Sequence, residues 1–176
     1  MTSEHADDAS EPQATHRPRT SRVALTWSGE PGRLEELTHG MLLDQAERAA
    51  VALRRLGVRA GDRVAVHLPL VPESVIVTLA CGQLDAIRRT LPVSLTAPEL
   101  AEQAREMDAR VLVTADAAFW DGAIRPVKAV LDRALARDAA GPRAAQCPVL
   151  VVNRCSRPVR WVPGRDRWWH EALAEG

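Results

Sequence analysis

Apolar residues along this chain come in short runs and stripes whose spacing predicts alternating strands and helices. Val23-Ala24-Leu25-Thr26-Trp27 has the character of a short strand, closed by the turn residues Gly29-Glu30-Pro31-Gly32. A second strand over Leu34–Leu37 completes a hairpin. Thr38 then offers a hydroxyl to cap a helix. The apolar positions of that helix (Leu42, Leu43, Ala46, Ala49, Ala50, Leu53 and Leu56) recur every three or four residues. Gly57 suits its left-handed terminus.

Val64-Ala65-Val66-His67-Leu68, Val111-Leu112-Val113 and Val149–Val152 are unbroken apolar runs, as in strands buried on both faces. Between them lie three predicted helices. Pro72 opens the first, carried by Val75, Ile76, Leu79 and Ala80. Thr96-Ala97-Pro98-Glu99 is a capping box for the second, with Leu100, Ala104 and Met107 on its buried side. The third runs from about Pro126 to Arg137. Strands alternating with helices imply an α/β fold, a mainly parallel sheet with helices on both faces. Residues 1–22 carry charges, Ser, Thr and Pro but almost no large apolar side chain, which predicts a disordered tail ahead of one domain over 23–176.

Composition then narrows the possible functions. The 176 residues suffice for one such domain. Their 23 basic and 23 acidic side chains cancel, which argues against a chain-wide nucleic-acid binder. No apolar run approaches the roughly 18 residues that span a bilayer, and the first 22 residues lack a secretory apolar segment. A cytoplasmic protein with no membrane partner is expected. Lys128 is the only lysine among the 23 basic residues, a bias that fits a GC-rich coding sequence. Cys81, Cys147 and Cys155 form no CxxC pair and read as reduced, packed thiols. His5, His16, His39, His67 and His170 show no ligand spacing, so no metal site is expected. Glu35 and Glu36 are adjacent in a strand and point to opposite faces, which rules against a paired-carboxylate site. Phosphate-loop and nucleophile-elbow motifs are absent.

Late in the chain Arg154, Arg157, Arg160, Arg165 and Arg167 are interleaved with Trp161, Trp168 and Trp169. Guanidinium groups beside stacking platforms suit single-stranded nucleic acid. The zero net charge and the usual role of Trp as buried area weigh against it, and no nucleic-acid partner is expected.

Three stretches carry a resemblance. They are Leu25-Thr26-Trp27-Ser28-Gly29-Glu30-Pro31-Gly32, the run LRRLGVRAGDRVAVHLPLVPESVIVTLAC from Leu53 to Cys81, and WVPGRDRWWH from Trp161 to His170. In order and spacing, over roughly residues 23 to 172, they resemble the N-terminal subdomain of short-chain AMP-forming acyl-CoA synthetases, the acetyl-CoA and propionyl-CoA synthetases among them. The resemblance implies a ligase family that uses ATP, Mg and CoA. In that family the phosphate-binding loop, a Ser/Thr/Gly-rich run ending in Lys-Gly, lies beyond the Trp-Trp-His segment. The mobile C-terminal domain with its catalytic lysine lies further on.

This sequence stops at Gly176, before that loop. The expectation is therefore a truncated and degenerate relative without adenylation activity of its own. It would have no catalytic, cofactor-binding or metal residues and no cofactor for this chain alone. The CoA side departs from the family too. Val93 and Ser94 stand where the resemblance places two glycines, and Asp85 and Arg88 replace small or neutral residues. Trp120 and Ala123 stand where it places the arginines for the CoA 3′-phosphate, with Asp121 adding negative charge. The alternative is an interaction module or half of a split ligase, docking on a full-length synthetase or on itself through Trp161, Trp168 and Trp169.

Overall fold

The computed structural model describes residues 19–137 and 140–175. Of the expected tail, residues 1–18 lie outside the described residues. Order starts ahead of the Val23 boundary, because Arg19–Ser21 form one turn of 3-10 helix and the Arg22 carbonyl accepts from the His39 N–H at 2.9 Å.

Strand β1 (Val23–Glu30) pairs antiparallel with β2 (Arg33–Thr38). Gly29 lies inside β1, not in the turn. A Cβ on Gly29 would stand 2.7 Å from the Trp27 ring, so only glycine lets that indole fold back on its own strand. The turn itself is Pro31-Gly32, with Gly32 at φ +71°. Helix α1 (His39–Arg55) follows, and the Thr38 Oγ1 accepts from the Met41 N–H at 3.2 Å as its cap. Its buried face is Ala46, Ala49, Ala50, Ala52 and Leu53. Leu43 does not join that stripe. It lies one turn ahead of Ala46 and is exposed.

The chain then runs through β3 (Arg63–His67), α2 (Pro72–Gln83), β4 (Ile87–Thr90), α3 (Ala97–Met107) and β5 (Val111–Ala115). A small ribbon of β6 (Ala118–Trp120) and β7 (Ala123–Arg125) leads to α4 (Val127–Leu135) and α5 (Gly141–Gln146). β8 (Val149–Val152), β9 (Asp166–Trp168) and α6 (Trp169–Ala174) complete it. The capping box of α3 forms, with the Glu99 carboxylate accepting from both the Thr96 N–H and hydroxyl.

The main sheet has five strands in the order β4-β3-β5-β8-β9, and all four pairings are parallel. Side chains alternate between its two faces. Val64, Val66, Val113 and Leu150 face Leu53, Ile76, Val77 and Trp169. Ala65, Leu112, Val149 and Val151 face Leu100, Ala104, Leu131 and Leu135. Helices thus cover both faces, as an all-parallel sheet requires. The expected α/β architecture is the observed one.

Candidate functional site

The parallel strands all deliver their carboxyl ends to one rim, where α/β sheets place their sites. There β3 ends at His67, β5 runs into Asp116 and β8 into Arg154.

Arg154 organises one half of the rim. Its side chain is fully buried. Its guanidinium lies 3.2 Å from Glu30, 3.0 Å from Glu35 and 3.2 Å from Glu73. It also sits over the Trp27 ring at 4.5 Å, while the Trp27 Nε1–H donates to the Leu70 carbonyl at 2.6 Å. Burial alone would lower the pKa of this group; the carboxylates of Glu73, Glu30 and Glu35 outweigh it and hold the arginine above its usual value. One side chain thereby ties the β1–β2 ribbon to the start of α2.

Asp116 fixes the loop that follows β8. Its buried carboxylate accepts from the N–H groups of Arg154 at 2.8 Å, Cys155 at 3.2 Å and Arg157 at 2.8 Å. Between that loop and the β6–β7 ribbon lies a cleft of about 380 Å³, bordered by Asp116, Ile124, Pro126, Arg157, Val159 and Arg160.

A second buried cation sits beside this cleft. The Lys128 Nζ donates to Asp132 and Asp166 at 2.8 Å and to the Arg160 carbonyl at 3.3 Å. Arg165 binds the same two carboxylates. Burial pushes the Asp166 pKa up, but hydrogen bonds from Arg165, Lys128 and the Val162 N–H win and hold it below the usual carboxylate range. Nothing in the sequence reading singled out Lys128 for a role. Its signal was its rarity: a chain that uses arginine everywhere else keeps a compact ammonium at this one position, where three acceptors converge.

The structure separates the residues that drew attention in the sequence. Trp161 and Trp168 pack with ring centroids 4.8 Å apart and planes tilted by 31°, half-buried against the α3–α4 side of the sheet. Trp169 is buried on the opposite face, so the three indoles share no surface. Of the late arginines, Arg154, Arg165 and Arg167 are held by carboxylates. Arg157 and Arg160 are exposed, and their guanidinium groups have no partner among the described residues. Trp120 is partly exposed on β6, and Asp121 occupies the ribbon's turn at φ +51°. Cys81 and Cys147 are buried free thiols, which desolvation pushes up to about 11 and about 12. The buried His67 donates Nδ1–H to the Leu91 carbonyl at 3.1 Å, and desolvation lowers its pKa. Its Nε2 and the Oγ1 of its register partner Thr114 are buried with no hydrogen-bond partner. No helix among the described residues is long and apolar enough to cross a membrane.

Comparison with known proteins places these features in a family. The family model described as AMP-binding enzyme matches residues 11–171. Acetyl-coenzyme A synthetase of Mycobacterium tuberculosis (strain ATCC 25618 / H37Rv) is 43% identical over 153 residues, covering 86% of this chain and 23% of the relative. The synthetase of Streptomyces avermitilis is 38% identical over 154 residues, 88% of this chain and 23% of the relative. That of Halorhodospira halophila is 35% identical over 162 residues, 89% and 24% respectively. The chain spans about a quarter of the length of these curated relatives.

Proposed function

The chain belongs to the AMP-binding enzyme family, and from that premise we propose that it forms the leading α/β segment of an acetyl-CoA-synthetase-like ligase and does not adenylate acetate by itself. The observation that carries this is the identity of 43% over a stretch amounting to only 23% of the relative. The chemistry of the described residues supports it. In the family this chain resembles, a mobile lysine neutralises the charge that develops on the acyl-adenylate. The only lysine of the sequence, Lys128, is fully buried and fixed by Asp132 and Asp166. Three free thiols and no disulfide among the described residues suit a reducing cytoplasm.

Acetate-dependent ATP–pyrophosphate exchange on the purified 176-residue chain tests the proposal. Exchange at the protein-free background is expected; robust exchange overturns it.

A second function, docking onto a synthetase chain, is favoured by large apolar side chains left exposed at Leu34, Leu70, Trp120 and Ile124. In it, Trp161 and Trp168 are available to a partner and Trp169 is not. Light scattering with and without a co-expressed synthetase tests it: a mass equal to the sum of the two chains supports docking, and an unchanged monomer contradicts it.

A further inference from the structure

We propose that the open edge of β4 is a docking site for an extended acidic peptide of a partner protein, which joins the main sheet as a further strand. β4 pairs with β3 alone and forms one edge of the sheet. The Ile87 N–H donates to the Asp62 carbonyl at 2.8 Å and the Leu91 N–H to the Val66 carbonyl at 2.9 Å. A strand turns alternate residues toward each neighbour, so the backbone N–H and C=O of Arg88 and Thr90 point away from β3. Along that edge runs a trough of about 570 Å³, lined by Arg88, Arg89 and Thr90 and, from α3, by Gln103, Glu106 and Met107. Unpaired backbone and room for a strand thus coincide.

Charge decides what can occupy the trough. The Arg88 guanidinium donates to the hydroxyls of Ser74 at 3.0 Å and Thr90 at 2.8 Å. Its Nε–H is buried without an acceptor. Neither Arg88 nor Arg89 pairs with a carboxylate among the described residues, although Glu106 borders the trough. Arg154, by contrast, holds three carboxylates. The edge therefore presents main-chain donors and two uncompensated cations, and a strand that carries carboxylates answers both. A second copy of this chain does not: β4 laid against β4 brings arginine opposite arginine, and like charges directly opposite each other destabilise a pair of strands.

The pleat gives the peptide a pattern. Arg88 and Thr90 share the α2 face of the sheet with Val64 and Val66, while Ile87 and Arg89 share the α3 face with Ala65. Ile87 is 47% exposed and offers an apolar contact at the start of the edge. A strand running parallel to β4 therefore carries an apolar residue beside Ile87, followed by two acidic residues beside Arg88 and Arg89. In strand addition the main-chain hydrogen bonds supply affinity and the side chains supply selectivity. The inference goes beyond the proposed function and does not depend on it.

Fluorescence anisotropy of the full chain with the labelled peptide Thr-Val-Glu-Glu-Val-Thr tests this edge. Controls are Thr-Val-Lys-Lys-Val-Thr and the acidic peptide with its glutamates N-methylated. The acidic peptide is expected to bind, and both controls to give no measurable binding. Arg89→Glu should weaken the acidic peptide by about tenfold or more, and Arg88→Gln should weaken it less. Arg48→Ala, which removes an arginine paired with Asp44 on α1, should change nothing. Arg89 is exposed, so its replacement should leave circular dichroism unchanged. Hydrogen exchange at the Arg88 and Thr90 amides should be fast in the chain alone and slowed by the acidic peptide. Absence of acidic-peptide binding overturns the proposal, as does equal weakening by Arg48→Ala. Equal binding of the lysine peptide overturns the charge selection, and equal binding of the N-methylated peptide overturns strand addition. Amides already protected without peptide overturn the assignment to a partner: protection that grows with protein concentration gives the edge to a second copy, and protection independent of it gives the edge to the chain's own residues. None of these outcomes bears on the pyrophosphate exchange assay above, so the two ideas fail separately.

Discussion

Lys128 and Arg154 are both fully buried cations ringed by carboxylates, yet the carboxylates differ in what they can do without them. Around Lys128, Asp166 has no exposed side-chain surface and Asp132 has 12%. Around Arg154, Glu30, Glu73 and Glu35 keep 12%, 17% and 26%. A carboxylate at the edge of solvent can rehydrate when its partner is removed, whereas one sealed inside cannot, and Asp166 would keep only Arg165 and the Val162 N–H to offset its buried charge. Reach differs too. Lys128 clamps α4 to the loop that enters β9, while Arg154 ties the β1–β2 ribbon to α2 across 81 to 124 residues of chain.

The largest effect should therefore come from Lys128→Ala, at about 3–5 kcal/mol of lost stability in urea unfolding. Adding Asp166→Asn should recover part of that loss. Arg154→Ala should cost less, about 1.5–3 kcal/mol, as expected for charged hydrogen bonds whose acceptors can reach water. Equal losses for the two variants would break the comparison.

Much of this fold was legible in the sequence. The hairpin, the Thr38 cap, the capping box at Thr96 and three of the five parallel strands follow from apolar runs and turn residues. The two sheet edges did not. β4 reads Ile-Arg-Arg-Thr and β9 reads Asp-Arg-Trp, and neither carries the apolar signature of a central strand. Edge strands of this kind are set by pairing with a neighbour more than by their own pattern. The rim was legible only in fragments. Trp161, Trp168 and Trp169 looked like one cluster because they are close in sequence. The strand-to-helix junction at Trp168–Trp169 sends the last indole through to the other face of the sheet. Asp116 and Arg154 meet their partners across 38 or more residues, as Lys128 meets Asp166, a distance no local pattern encodes; of the Lys128 contacts only the i,i+4 pair with Asp132 is local.

A pH titration of stability sharpens the picture at a third buried group. His67 has its folded-state pKa lowered from 6.5 by desolvation. Above 6.5 both states are neutral there and stability is full. As pH falls below 6.5 the unfolded chain takes up the proton first, so stability declines until the lowered folded-state value is reached. Urea midpoints between about pH 5 and 7 should fall with acid, and His67→Gln should flatten that slope. The smallest effect belongs to the helix caps. Thr96→Ala should cost about 1 kcal/mol, well below either buried cation, and thermal unfolding measures it.

We propose that these residues fold into a ligase segment that does not perform the adenylation step alone. The most direct measurement is a single turnover with the folded chain in excess over labelled acetate and ATP, quenched in acid and resolved for acetyl-adenylate. No acetyl-adenylate above the protein-free control is expected, with near-ultraviolet circular dichroism confirming an ordered Trp environment in the same sample. Acetyl-adenylate formed in stoichiometric amount would contradict it.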